Sequence, residues 1–199
     1  IPEGALPGPD AQDYVLLASA AAERGLSLEI ARWASPDLPD QGFAAALVRS
    51  TWDYQDNLEE FLAALERFER AGAPVFNPSS VVRWNARKTY LEDLSAKGAP
   101  IIPTHWADRV DVAAVLRAFE TFDTVELVVK PQLGAGSRNT IRLRRNAWSE
   151  ADLALAPPGA VMIQPFLPSI EAEGEVSLFY FGGRPAHVIR KRPAEGGWL

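Results

Sequence analysis

Residues 125–144 read VELVVKPQLGAGSRNTIRLR, and the fold turns on how that run divides. VELVV is a short apolar run of strand-forming residues, as in a buried strand. Pro131 has no N–H to give to a ladder, so it sets Lys130 where pairing stops and a crevice can open. TIRLR then resumes strand alternation with Ile141 and Leu143. Between the two strands, Gly134 and Gly136 leave backbone N–H groups able to approach an anion, with Ala135 between them and donors from Ser137 and Arg138. Strand, glycine-rich loop and strand make a hairpin flap. The nucleotide loops that lead into a helix are different: GxxxxGK[ST] is absent, and so is GxGxxG between strand and helix. Lys130 has two readings at this stage, an anion-facing ammonium or a lysine snorkelling from a strand end.

Downstream, AVMIQPFL ends a buried strand with Gln164 and Pro165, giving a stiff extended connector. Pro165 offers a carbonyl but no N–H, while Leu167 keeps its N–H, and such an edge can pair with an adenine or simply link two lobes. Two further strands, EVSLFYF and AHVIRK, bracket Gly182-Gly183, a two-residue hairpin signal because both turn positions need positive φ. Glu175 opens the first of them, with Ser177, Phe179 and Phe181 on its face. It can accept ribose hydroxyls or stand as a solvated strand start.

Upstream, a helix is expected over residues 10–24 behind an Asp10 cap, and short strands in SLEIARW and AALVRS flank the PDLPD turn. The next helix has Asp56 and Glu59 as a capping box, a stripe of Leu58, Phe61, Leu62, Leu65 and Phe68, and Gly72 as its stop. Helices alternating with buried strands predict a parallel α/β domain over residues 1–77. Its RSTWDY segment follows a strand end, where ligands gather in open α/β sheets, so Arg49, Ser50, Thr51 and Asp53 are candidates for a small polar substrate; a plain polar turn is the alternative. Further helices are expected from Asn85 to Gly98 and from Asp111 to about Phe122. With Asn85 as N-cap, Lys88 falls in a first helical turn, where the dipole disfavours a cation by up to about 1 kcal/mol. An anionic partner would offset that, as would solvent and Glu92.

Composition narrows the function. Among 199 residues the net charge is −6 with a pI near 5.0, so neither nucleic acid nor an anionic membrane gains a global electrostatic grip. There is no cysteine, which excludes disulfides, thiolate metal sites and a cysteine nucleophile. Two histidines are too few for most metal triads. No apolar run approaches the roughly 20 residues of a membrane span, and the first ten residues carry no signal-like core. A cytoplasmic protein is expected.

Taken together, Lys88, VVKP ending at Lys130, the GAGS flap, IQPFL and then Glu175 resemble the ATP-grasp superfamily. RSTWDY, VRWNARKTYLEDL and RKRP make the chain similar to its glutathione-synthetase-like branch, near the ligases of the D-cycloserine pathway. The implied architecture is an α/β plus α+β chain: a pre-ATP-grasp domain over 1–77, then an incomplete ATP-grasp domain over 78–199. Within the latter the resemblance implies a central subdomain at about 101–163, a hinge at about 164–168 and the start of a C-terminal subdomain at 169–199. It also implies that Lys88 and Lys130 contact ATP phosphates and that Gly134, Ala135, Gly136 and Ser137 close over them. Gln164, Pro165, Phe166 and Leu167 would border the adenine, with Glu175 on the ribose and Arg190 beside the transferred phosphoryl group.

The implied reaction is ATP-dependent joining of a small carboxylate to an amine through an acyl phosphate, with Mg²⁺. Family members are often dimeric, so a homodimer is among the expectations. The Mg²⁺ ligands and the opening strand of the fold are not in this sequence. Glu171, Glu173 and Glu195 have no spacing that replaces the acidic metal ligands, so no metal ligand is assigned and the chain is expected to be part of a longer protein. The competing reading is a nucleotide-sensing or interaction module with the fold and no ligase chemistry. An α/β enzyme using another cofactor has no supporting motif.

Overall fold

A computed structural model describes residues 9–38 and 42–193. The first eight residues, part of the PDLPD turn, the side chain of Asp10 and Glu195 lie outside them. The chain divides into two compact units, Ile1–Lys97 and Gly98–Leu199.

In the first unit, α1 (Pro9–Ala22) precedes a parallel pair of very short strands, β1 (Ala46–Leu47) and β2 (Val75–Phe76), joined through α2 (Leu58–Arg70). The apolar stripe makes α2 the centre of the unit: Leu58, Phe61, Leu62, Ala64, Leu65 and Phe68 are all buried. Phe61, Leu65 and Phe68 pack with Leu38, Ala73 and Val75. Gly72 ends the helix at φ 88°, a left-handed conformation that glycine adopts without strain.

Three local expectations are corrected here. The helix begins after Asn57, not at an Asp56–Glu59 box. The Asp56 and Asn57 N–H groups already donate to the carbonyls of Asp53 and Tyr54, so turns consume the first donors. SLEIARW forms no strand. It has no ladder partner among the described residues; instead Ala31 and Trp33 pack on the α2 core, and the Trp33 indole donates to Asp53 Oδ1 at 3.0 Å.

The helix expected over 85–98 is two, α3 (Ser79–Ala86) and α4 (Tyr90–Ala96). Arg87 stands between them in an extended conformation, and Asn85 lies inside α3 rather than at a cap. Trp84 holds the break: its indole donates to Asp93 at 2.7 Å and its ring meets that of Tyr90. Helix α3 is fastened to α2 by Ser79, whose N–H and hydroxyl both donate to the Glu69 carboxylate, and by Arg83 paired with Glu66 at 2.6 Å. Residues 79–96 therefore cluster with the first unit, although the sequence reading drew its domain boundary at residue 77.

The second unit is built on four antiparallel strands in the order β3 (His105–Ala107), β6 (Val161–Pro165), β4 (Glu126–Pro131) and β5 (Ile141–Arg144). The pleat sends alternate residues to opposite faces. Leu127, Val129, Leu143, Val161 and Ile163 form one face, and they pack against Ala114, Val115, Ala118 and Phe119 of α5 (Val112–Phe122). Asp111 caps α5, its carboxylate accepting from the Ala114 N–H at 2.7 Å. The short helices α6 (Glu150–Leu153) and α7 (Ser169–Ala172) precede β6 and the last ribbon.

That ribbon pairs β7 (Glu175–Phe181) with β8 (Arg184–Lys191), and Gly182 and Gly183 supply both positive-φ turn positions. At its root, a Cβ on Gly174 would overlap the carbonyl oxygen of Lys191. Among the described residues no helix is long and apolar enough to cross a membrane.

Because only the cap is lost while the buried stripe stays intact, Asp111→Ala is expected to cost about 1 kcal/mol. Thermal denaturation followed by circular dichroism checks this as a lower midpoint with an unchanged native spectrum.

Candidate functional site

The sheet face turned away from α5 carries the polar residues. Cross-strand partners share a face, and the register pairs Val128 with Gln164, Lys130 with Met162, Trp106 with Met162 and Arg142 with Val128. Lys130, Gln164 and Arg142 thus emerge on one surface although they are far apart in sequence.

Lys130 and Gln164 are in contact. The Lys130 ammonium donates to Gln164 Oε1 at 3.2 Å, and Gln164 Nε2 donates to the Thr104 hydroxyl at 2.9 Å. That hydroxyl donates to the Ile102 carbonyl at 2.8 Å. Gln164 is only 4% exposed, so its amide needs both partners; losing one would cost about 1–3 kcal/mol. The chain of donors fixes the amide orientation and holds the lysine head on this face.

The loop that follows is anchored at its root by Gln132. Its N–H donates to the Ala160 carbonyl at 3.0 Å, and its buried side-chain amide donates to the Val161 carbonyl at 3.0 Å. Beyond that anchor the flap turns tightly. Gly136, Ser137 and Asn139 have φ of 62°, 59° and 57°, and the N–H groups of Arg138 and Thr140 donate back to Ala135 and Ser137. Gly136 adopts this conformation without penalty, whereas Ser137 is held in it at a cost of about 1–2 kcal/mol. Gly134 is not in the left-handed region.

Gln164 leads into residues 164–167. The Phe166 N–H donates to the Glu126 carbonyl at 2.9 Å, so even-numbered residues of β6 bond toward β4 and odd-numbered ones toward β3. The last pair with β3 is His105 opposite Ile163, which leaves the Pro165 carbonyl pointing past the end of that strand. The Leu167 N–H finds no acceptor among the described residues. One acceptor and one donor therefore lie on an open edge that continues the strand from Gln164.

The ribbon separates two other candidates. Glu175 lies opposite Lys191, and Val176 opposite Arg190, so Glu175 and Arg190 project from opposite faces. The cation on the Glu175 face is Lys191, whose ammonium is 3.2 Å from Glu175 Oε1, with the Ser177 hydroxyl at 3.4 Å from the same oxygen. Phe179 and His187 stack on that face, ring centroids 4.4 Å apart.

Each first-unit candidate has its own local role in the fold. Arg49 pairs with Asp13 of α1 at 3.2 Å, Asp53 accepts from Trp33, and Ser50 is in the left-handed region at φ 49°. Thr51 starts the turns that enter α2 by accepting from the Tyr54 N–H. Lys88 lies in the link between α3 and α4, one residue before the Thr89 N-cap rather than inside a helical turn. It is half-buried, and burial pushes its ammonium below the ordinary lysine range.

Five residues have roles that the sequence did not single out: Thr104, Gln132, Lys191 and the Arg142–Glu126 pair. Only the last had a legible signal, since Arg142 and Arg144 alternate along a strand whose partner opens with Glu126. Both guanidiniums reach that carboxylate, at 2.7 and 3.1 Å. Among the described residues no group of three His, Cys, Asp or Glu side chains is placed to hold a metal ion.

Comparison with known proteins gives relatives for nearly the whole of the chain. Residues 3–77 match the family model for the N-terminal domain of D-cycloserine synthetase DcsG. Over 186 residues the chain is 33% identical to the cycloserine biosynthesis protein DcsG of Streptomyces lavendulae, covering 90% of this chain and 62% of that protein. It is 28% identical over 164 residues to a glutathione synthetase of Ralstonia nicotianae, covering 80% of this chain and 48% of that one.

The crystal structure of D-cycloserine synthetase DcsG superposes with a TM-score of 0.79 at 31% identity, over 91% of this chain and 63% of that one. The ATP-grasp ligase PsnB, solved with a minimal precursor, Mg and ADP, shares the fold, with a TM-score of 0.51 at 24% identity over 80% of this chain and 63% of that one. The chain spans less than two thirds of the length of each of these proteins.

The Glu126 carboxyl is held below its ordinary value, first by the hydrogen bond from Arg142 and then by that from Arg144. Its folded pKa lies below its unfolded one, so the pairing stabilises fully above the unfolded value and is lost as pH falls through the folded one. Glu126→Gln is therefore expected to flatten the fall in melting temperature between roughly pH 5 and pH 3. Parallel slopes for the two proteins in a pH series of thermal melts would contradict this role.

Proposed function

Because this chain belongs to the ATP-grasp superfamily, on its glutathione-synthetase-like branch, we propose that it is the larger part of an ATP- and Mg²⁺-dependent ligase joining a small amino-acid-like carboxylate to an amine. The observation that carries this reading is the Lys130–Gln164 contact on a polar sheet face, rooted between a glycine flap and an open backbone edge. An ammonium, backbone donors and a flexible cover are what a polyphosphate requires, and phosphoryl transfer is catalysed mainly by positioning and charge neutralisation.

In this proposal Lys130 neutralises phosphate charge, Gly134 to Ser137 close over the phosphates, and Lys88 adds the second ammonium of the family pattern. Gln164 and Phe166 border the adenine; the Leu167 N–H donates to its ring and the Pro165 carbonyl accepts from its amine. Glu175 takes the ribose. Arg190, on the other face of the ribbon, keeps its assignment beside the phosphoryl group from the resemblance alone, and Lys191 is the cation that geometry places with Glu175. The carboxylate attacks the terminal phosphorus of ATP, giving an acyl phosphate and ADP; the amine then adds to the carbonyl, and phosphate leaves as the amine loses a proton.

Arg49, Ser50, Thr51 and Asp53 are proposed to select the carboxylate substrate. The family model ends at residue 77, which supports a pre-ATP-grasp domain over 1–77 and ATP-grasp subdomains thereafter. The Mg²⁺ ligands are assigned outside the described residues. A cytoplasmic homodimer completes the proposal. The alternative, a nucleotide-binding module without ligase activity, differs in one measurable respect: it binds ATP but releases no ADP when amino acids and small peptides are supplied.

Lys130→Ala in the full-length protein is expected to weaken ATP binding about 10- to 100-fold, the weight of one charged hydrogen bond, while the fold is kept and the melting temperature falls by roughly several degrees because Gln164 loses one partner. Isothermal calorimetry gives the affinity. Unchanged affinity in the variant would overturn the assignment.

A further inference from the structure

Arg142 is not among the residues assigned to nucleotide above, yet it is tied to the hinge from three sides. Its guanidinium donates to Glu126 at 2.7 Å and to Glu171 of α7 at 2.6 Å, and lies 3.5 Å from the centroid of the Phe166 ring. Phe166 in turn gives its backbone N–H to the Glu126 carbonyl. Glu126, Arg142 and Phe166 thus form a closed ring of contacts, with one residue from each of two strands and one from the start of the hinge. Glu171 extends it past the hinge, to the helix that leads into the β7–β8 ribbon.

Packing alone does not call for this arrangement, since a leucine or methionine would cover Phe166 without drawing the Glu126 carboxylate largely out of water. A planar guanidinium does something an aliphatic chain cannot: it lies flat on an aromatic face while its edge forks to two acids. The ring it holds sits between Pro165 and Leu167, the two residues whose backbone carbonyl and N–H lie on the open edge. A tilt of Phe166 would turn both groups.

We propose that Arg142 is a positioning residue for purine recognition: without touching the nucleotide, it fixes Phe166 and thereby aims the Pro165 carbonyl and Leu167 N–H at the base. This rests on the ATP-binding reading above and adds to it the residue on which base selectivity depends.

The test compares non-hydrolysable ATP and ITP analogues binding to the full-length protein by calorimetry, for wild type, Arg142→Met, Arg142→Lys and Glu171→Gln. Inosine carries an oxygen where adenine carries the amine that the Pro165 carbonyl accepts, so the wild-type protein prefers ATP. Arg142→Met is expected to lose about tenfold in ATP affinity and much less in ITP affinity, so that the preference collapses. Arg142→Lys keeps the charge but not the flat fork, and is expected to retain the melting temperature while losing part of the preference. Glu171→Gln is expected to move the preference in the same direction by less.

Equal losses for ATP and ITP in Arg142→Met and Arg142→Lys, or an unchanged ATP to ITP ratio in both, would overturn the positioning role. Wild-type protein that binds neither nucleotide would overturn the ATP-binding reading as well, whereas wild-type preference with unaltered Arg142 variants overturns this inference alone.

Discussion

A four-stranded antiparallel sheet has two faces, and α5 covers one. The apolar alternation of Leu127, Val129, Leu143, Val161 and Ile163 commits that face to the core, and the pleat then leaves no freedom over the other. Lys130, Gln164, Arg142 and Glu126 share a surface because each lies one residue from a core position on its strand. A one-residue slip of β4 against β6 would exchange the two sets, burying an ammonium against α5 and exposing Val129. The polar face is in this sense a by-product of how the core is packed.

The polar residues on that face are organised in two groups, and each is internally satisfied. Lys130, Gln164 and Thr104 pass hydrogen bonds from β4 through β6 to the residue before β3. Glu126, Arg142, Arg144 and Glu171 balance two positive against two negative charges at the hinge end. Burying such groups costs free energy unless partners replace water, so the value of the arrangement lies in fixed direction rather than in stability. A preset donor field is also what lowers the reorganisation needed when a phosphate arrives.

Much of this was legible in the sequence because it depends on short-range rules. Pro131 after Lys130 marks a strand end, paired glycines mark the ribbon turn, and the stripe of α2 marks a buried helix. What was not legible depends on partners distant in the chain. SLEIARW alternates like a strand, but alternation cannot say whether a neighbour exists to pair with. The break at Arg87 carries no glycine or proline; it is held by Trp84 reaching Asp93 and Tyr90. Which faces of the ribbon Glu175 and Arg190 occupy is a parity that only pairing reveals, and the register puts them on opposite ones. Gln132 and Thr104 are ordinary loop residues by composition and gain their roles from carbonyls on other strands.

Gly174 has a different kind of consequence. The turn before the last ribbon closes so tightly that the backbone carbonyl of Lys191 occupies the space any side chain would need, and its φ of 88° is itself unfavourable for other residues. Every single-nucleotide missense change of a glycine codon introduces at least a methyl or hydroxymethyl group. In a population of mutant genes this position would therefore be nearly invariant, whereas Gly182 and Gly183, which face open space, would be limited by backbone conformation alone. Intolerance at this one codon would report on the geometry of the ribbon root rather than on chemistry.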